Sequence, residues 1–112
     1  MWAMRELAIE SLLGDAPWAL LREYLQLTRK KWPKLNAKLM CCPSVASNKA
    51  CFMTEHKSLA DVEQWSKAYW ADEDIKNLLK RQHQLAKENG GREVFSSYRD
   101  IFWYDMSEEE PK

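Results

Sequence analysis

The sequence predicts an α+β protein with the ferredoxin-like element order, strand–helix–strand–strand–helix–strand. Two observations support this prediction. Strand-like and helix-like spacings of apolar residues follow one another in that order, and no linker or internal repeat interrupts the 112 residues. Right-handed crossovers would place both helices on one face of a four-stranded antiparallel sheet. We therefore expect a single domain over residues 1–106 and an acidic, flexible tail over residues 107–112.

The composition is that of a folded protein and argues against several classes of protein, among them general nucleic-acid binders and membrane-spanning proteins. Hydrophobic residues make up 46% and charged residues 30%, and 17 basic residues balance 17 acidic ones. Such a balance lacks the basic excess of a general nucleic-acid binder, so we expect no nucleic-acid partner. No apolar run approaches the length of a membrane span, and the first residues lack the pattern of a signal peptide. We expect a cytoplasmic protein with no membrane partner.

The first strand is predicted over Arg5 to Leu13 because apolar and polar residues alternate there. One side carries Leu7, Ile9 and Leu13, and the other carries Glu6, Ala8 and Glu10. Gly14 ends this segment.

The first helix is predicted to begin after Asp15, a favourable N-cap, with Pro17 in its first turn. It extends to about Lys31 and is stopped by Pro33. Its apolar face, at helical spacing, consists of Leu20, Leu21, Tyr24, Leu25, Leu27 and Thr28.

An antiparallel pair of strands is predicted next, over Ala37 to Cys42 and Lys49 to Lys57. The turn between them is marked by Pro43, Ser44, Ser47 and Asn48.

The second helical region is predicted to begin at Ser58, where Asp61 three residues later completes a capping-box-like pair. The acidic residues 72–74 are typical of a new helix N-terminus, so we predict a break in the helix after Ala71. Asn89-Gly90-Gly91 ends the helical region. The buried stripe is expected to comprise Val62, Trp65, Tyr69, Ile75, Leu78, Leu79, Gln82 and Leu85.

The last strand, Val94 to Met106, decides what the sheet presents opposite the helices. One of its sides carries Ile101 and Trp103, and the other carries Tyr98, Phe102 and Tyr104. Whichever side faces away from the helices, large apolar side chains would be left uncovered. We therefore expect a homodimer in which two sheets stack through their open faces, forming a dimeric α+β barrel.

The three cysteines, Cys41, Cys42 and Cys51, give no metal-binding spacing. We expect reduced thiols, no metal and no cofactor. The sequence also lacks a nucleophile elbow and a phosphate-binding loop.

Two adjacent residues near the end of the third predicted strand are the candidates for catalysis. His56 titrates near neutral pH and is flanked by Glu55, so it has the chemistry of a general base. A histidine in this position is more often a surface or interface residue, and both interpretations remain open.

Glu6 and Glu10 are candidate ligand-binding residues because they share one side of the first predicted strand. If that side lined a dimer cavity, the two carboxylates would lie in a partly dry space. Exposure at an edge, or pairing with Arg99, is the alternative.

Aromatic residues supply the other candidates for ligand binding. Trp65 and Tyr24 are spaced to wall a pocket between the helices and the sheet, although aromatic residues at this spacing are more often core. The last strand contributes Tyr98, Trp103 and Tyr104.

Residues 52–65, FMTEHKSLADVEQW, resemble the strand-to-helix junction of dimeric α+β barrel proteins, including the antibiotic-biosynthesis monooxygenase and NIPSNAP-like families. The resemblance implies a homodimer whose cavity binds a hydrophobic small molecule or haem. Haem-degrading members combine an Asn on the first strand with a Trp and a more distant His on the second helical region. Trp65 matches that Trp, but the first strand has no Asn and His83 lies eighteen residues beyond Trp65.

Three functions remain open at this point. The first is binding of a small hydrophobic molecule without chemistry. The second, implied by the resemblance, is a cofactor-independent monooxygenase or isomerase acting on an aromatic or polyketide-like substrate. The third is a structural dimerisation module without a ligand. The sequence leaves open whether a cavity lies between two sheets or between sheet and helices.

Overall fold

The computed structural model describes residues 1–41 and 48–104. Within these ranges the chain forms four strands and three α-helices. In order they are β1 (Trp2–Ile9), α1 (Ala16–Lys31), β2 (Lys38–Cys41), β3 (Lys49–Glu55), α2 (Leu59–Ala71), α3 (Glu73–Glu88) and β4 (Phe95–Trp103). The predicted turn residues Pro43, Ser44 and Ser47, the thiol of Cys42 and the predicted tail lie outside the described residues.

The four strands form one antiparallel sheet in the order β2-β3-β1-β4. This order places the strands that precede the helical regions, β1 and β3, in the centre, as the ferredoxin-like plan requires. The predicted fold class is therefore confirmed, with the second helical region divided into α2 and α3. No helix of the described ranges is long and apolar enough to cross a membrane.

All three helices contribute to a core against one face of the sheet. The core comprises Leu7, Ile9, Leu20, Leu21, Tyr24, Ala50, Tyr69, Ile75, Leu78, Val94 and Phe95. α2 contributes only Tyr69 to this buried set, whereas α1 and α3 contribute several residues each. α2 therefore has one fully buried residue, and its Trp65 packs against the core while partly buried.

β1 differs from the predicted strand at both ends. It begins at Trp2 and stops at Ile9, and residues 11–13 form a 3-10 turn. The Glu10 carboxylate accepts a hydrogen bond from the backbone N–H of Leu12 at 3.1 Å, and Gly14 closes the turn with a φ of 63°. The apolar spacing that suggested a strand to Leu13 therefore belongs to two different elements.

Two of the three predicted helix starts behave as expected. Ser58 caps α2 by accepting a hydrogen bond from the N–H of Asp61 at 3.2 Å. The predicted break after Ala71 is confirmed, because the Asp72 carboxylate accepts from the N–H of Asp74 and starts α3. Asp15 occupies the N-cap position of α1, but its side chain makes no capping hydrogen bond, so that part of the prediction is wrong.

A bulge in β4 determines which side chains face the helices. Ser97 has a φ of 54°, and the pairing register between β1 and β4 shifts there. Beyond the bulge, Phe102 pairs with Ala3 on the helix side, and Trp103 pairs with Trp2 on the other side. We call the side of the sheet opposite the helices the open face. Its described members include Trp2, Met4, Glu6, Lys38, Met40, Cys51, Met53, Glu55, Arg99, Ile101 and Trp103.

Candidate functional site

A cavity of about 640 Å³ lies between the sheet and α2. Tyr69 is the buried residue of α2, and the cavity occupies space between this helix and the strands. β1, β3 and β4 form its floor, α2 forms its roof, and α1 closes one end. Its main lining residues are Ala3, Arg5, Leu7, Leu21, Tyr24, Phe52, Thr54, Leu59, Val62, Glu63, Trp65, Ser66, Lys67, Tyr69, Trp70, Phe95, Tyr98, Asp100 and Phe102.

Exposed apolar side chains cluster at this cavity. Leu59 and Trp70 on α2 are 45% and 42% exposed, and Tyr98 and Phe102 on β4 are 51% and 42% exposed. All four belong to the lining. The cavity is therefore open to solvent between α2 and β4, and its opening is apolar.

The floor carries an ion pair between β1 and β4. The Arg5 Nε donates to Asp100 Oδ1 at 2.8 Å, and Nη2 donates to Oδ2 at 3.0 Å. The Arg5 guanidinium also lies 5.5 Å from the centre of the Tyr98 ring. The hydrogen bond from Arg5 holds the pKa of Asp100 below its usual range, so the carboxylate remains ionised at neutral pH.

Two phenols on the helical side of the cavity are proton donors at neutral pH. Burial raises the pKa of Tyr24 to about 12, and its hydroxyl donates to Gln82 Oε1 at 3.1 Å. Burial, followed by the effect of Tyr24, raises the pKa of Tyr69. Neither phenol is therefore suited to accept a proton from a ligand.

Aromatic rings fix the position of Trp65. Its ring centre lies 5.0 Å from that of Tyr69, 5.2 Å from that of His56, and 6.3 Å from that of Trp32 in an edge-on arrangement. Its Nε1 is buried and has no hydrogen-bond partner among the described residues. The indole is therefore held by packing rather than by a polar contact.

The two catalytic candidates are not in the cavity lining. His56 is buried, with Nε2 2.8 Å from Thr54 Oγ1, and its backbone pairs with that of Met1. Glu55 lies on the open face and its carboxylate accepts from Asn36 Nδ2 at 3.1 Å. His56 is thus part of the packing behind Trp65 rather than a surface residue.

The buried histidine makes stability depend on pH. Burial lowers the pKa of His56 below its ordinary value of 6.5, so the unfolded chain takes up a proton more readily than the folded one. The contribution of the neutral, buried His56 to the free energy of unfolding is fully present above pH 6.5 and is lost as pH falls through the folded-state pKa. We expect the urea midpoint to fall between pH 7.5 and 5.5, and His56→Asn to flatten this decline.

The exposed α3 histidine provides the control for this measurement. His83→Asn should retain the decline of the parent protein, because its side chain is in solvent. Equal slopes for His56→Asn and the parent would contradict the assignment.

The predicted ligand-binding residues are divided among three places. Tyr24, Trp65 and Tyr98 line the cavity. Glu6 and Trp103 lie on the open face, where Glu6 is directly opposite Arg99 in the β1–β4 register. The remaining two lie beyond strand ends, since Glu10 caps the 3-10 turn and Tyr104 follows β4.

Sequence reasoning missed Arg5 and Asp100. Arg5 has the same parity as Leu7 and Ile9 in β1, so a charged residue on the buried side of a strand was the available signal. Asp100 could not be placed in the same way, because the bulge at Ser97 changes the parity of β4.

Comparison with known proteins identifies a shared fold and shows no activity for this protein. No family model and no curated protein matches the sequence. A solved structure, "a putative antibiotic biosynthesis monooxygenase from Deinococcus radiodurans", superposes with a TM-score of 0.63. The two proteins share one fold. The match covers 99% of this chain and 97% of the other, at 10% sequence identity.

Proposed function

We propose that this protein binds a small apolar molecule in the cavity between its sheet and α2. The observation that carries the proposal is the size and lining of the cavity. A volume of about 640 Å³ is within the range of small-molecule sites. Exposed apolar side chains gather at its opening, where a ligand would remove them from water. For a purely structural module we would expect a filled core at this place instead.

We also infer that the protein is a homodimer formed through the open face. Trp103 and Met40 are 58% and 53% exposed there, and Met4, Met53 and Ile101 are half-buried between them. A second copy is a suitable partner because the face carries both charges. Glu6 is opposite Arg99 in the β1–β4 register, so a two-fold axis midway between them would place each carboxylate over a guanidinium of the second copy.

Catalysis is the second candidate, and the shared fold with a protein named as a monooxygenase favours it. A cofactor-independent monooxygenase or isomerase would need a group that takes a proton from an aromatic substrate. Raised pKa values make Tyr24 and Tyr69 poor bases, and the lowered pKa of Asp100 makes it a weak one. These groups support binding better than proton abstraction.

Filling the cavity tests the proposal directly. Ser66 lines the cavity on α2, and we expect Ser66→Trp to reduce affinity for the two-ring probes tetralin and 1-tetralone by at least about tenfold. Isothermal titration calorimetry would measure the affinities. Ala68→Trp is the matched control, because Ala68 is exposed on the same helix and does not line the cavity.

Binding that is weakened by Ser66→Trp and unchanged by Ala68→Trp would support a ligand site at this place. Equal affinities for the parent and both variants would show that the probes bind elsewhere. Absence of binding to the parent protein would contradict the proposed function.

A further inference from the structure

The ion pair of Arg5 and Asp100 is an unusual component of an apolar cavity. Its two side chains are 42% and 48% exposed, so water screens the pair and it contributes little to folding stability. The pair nevertheless lies on the floor of the cavity, on adjacent strands and beside the ring of Tyr98. A role in ligand recognition explains this position better than a role in folding.

Arg5 has hydrogen-bonding capacity left over. A guanidinium has five N–H donors, and the contact with Asp100 uses one on Nε and one on Nη2. The other three have no acceptor among the described residues, and because the Arg5 side chain is 42% exposed they are accessible to water. Asp100 holds the guanidinium in place, so these donors are oriented before a ligand arrives.

A ligand that enters the cavity must displace the water at Arg5. A hydrocarbon would leave these N–H groups unpaired in a drier environment, which opposes binding. A carbonyl, ether or phenol oxygen at the same place would accept a hydrogen bond and remove this penalty. A site of this kind discriminates strongly against the analogue that lacks the oxygen.

The charges of the cavity favour a neutral ligand over an anion. Arg5 and Lys67 are the basic residues of the lining, and Glu63 and Asp100 are the acidic ones, so the lining carries no net charge. Asp100 already neutralises Arg5 at hydrogen-bond distance. A carboxylate ligand would therefore have to approach Asp100 as well as Arg5.

We propose that the ligand is an uncharged aromatic molecule with an acceptor oxygen, and that Arg5, positioned by Asp100, selects it. We infer that the ligand is aromatic because it would pack against the rings of Trp70, Tyr98 and Phe102, which lie on opposite sides of the opening. This inference rests on the proposed function, because it concerns the same cavity.

Three probes with one carbon skeleton test the inference by calorimetry. Tetralin has no oxygen, 1-tetralone has one acceptor oxygen, and 1,2,3,4-tetrahydro-1-naphthoate is an anion. We expect the parent protein to bind 1-tetralone at least about tenfold more tightly than tetralin, and more tightly than the carboxylate.

A double variant removes the selecting group without leaving an unpaired charge. In Arg5→Leu/Asp100→Leu, we expect tetralin and 1-tetralone to bind with equal affinity. Tetralin should bind at least as tightly as it binds the parent protein, which also shows that the variant is folded. Arg22→Leu is the control, since Arg22 is exposed on α1 and does not line the cavity.

The possible failures are distinguishable. Equal binding of tetralin and 1-tetralone to the parent, or an unchanged preference in the double variant, would overturn the selection by Arg5 and leave the cavity as a binding site. Tighter binding of the carboxylate than of 1-tetralone would overturn the inference that the ligand is uncharged. Failure of all three probes to bind the parent would contradict both the inference and the proposed function.

Discussion

Trp103→Glu should convert the proposed dimer to a monomer at micromolar concentration. Two copies of the substitution would place two carboxylates in an apolar sheet-to-sheet contact, and burying an unpaired charge costs several kcal/mol. We expect the dimer dissociation constant to rise by at least about a hundredfold. Light scattering coupled to size-exclusion chromatography measures the change.

The adjacent residue gives a matched control. Phe102 is also an aromatic residue of β4 and is 42% exposed, but it faces the cavity. Phe102→Glu should keep the dimer and weaken the binding of tetralin. Trp103→Glu should dissociate the dimer and leave the binding of tetralin unchanged. A parent protein that is monomeric at micromolar concentration would contradict the dimer, and an unchanged mass for Trp103→Glu would remove Trp103 from the interface.

Leu78→Ala should cause a large loss of stability. Leu78 is 5% exposed in α3 and belongs to the core shared by the helices and the sheet. Truncating a buried leucine leaves a void and costs roughly 2–5 kcal/mol in the free energy of unfolding. Urea titration monitored by circular dichroism would measure the loss.

The exposed Leu12, in the turn after β1, is the control for that substitution. Leu12 is 72% exposed, so Leu12→Ala should change stability by no more than about 0.5 kcal/mol. A similar effect for both variants would contradict the placement of α3 on the core. Since α2 packs on α3, Leu78→Ala should also weaken probe binding in the cavity.

Much of the fold could be predicted because the deciding signals are local. Ser58 and the acidic start at Asp72 carry their own capping hydrogen bonds, so both helix starts could be derived from neighbouring residues. The antiparallel order then follows from the sequence of elements. The end of β1 could not be derived in this way, because Leu13 fits both the strand spacing and the turn that contains it.

The site was less accessible to sequence reasoning because it depends on distances between elements. Trp65 and Tyr24 have the spacing of core residues, and nothing local indicates that a cavity lies between α2 and the sheet. The meeting of Arg5 and Asp100 depends on the β1–β4 register. Register is set by pairing between strands that are far apart in the chain, and an irregular strand changes it.

The bulge at Ser97 determines which side chains of β4 lie on each side of the sheet. If β4 had no bulge and Ser97 were paired with β1 as a regular strand residue, with Phe95 kept in place, every later residue of β4 would exchange sides. Arg99 would then lie opposite Arg5, two like charges would meet on the cavity floor, and Trp103 would leave the open face. One bulged residue thus determines both the charges on the cavity floor and the aromatic content of the open face, so the proposed ligand site and the proposed self-association depend on the same backbone irregularity.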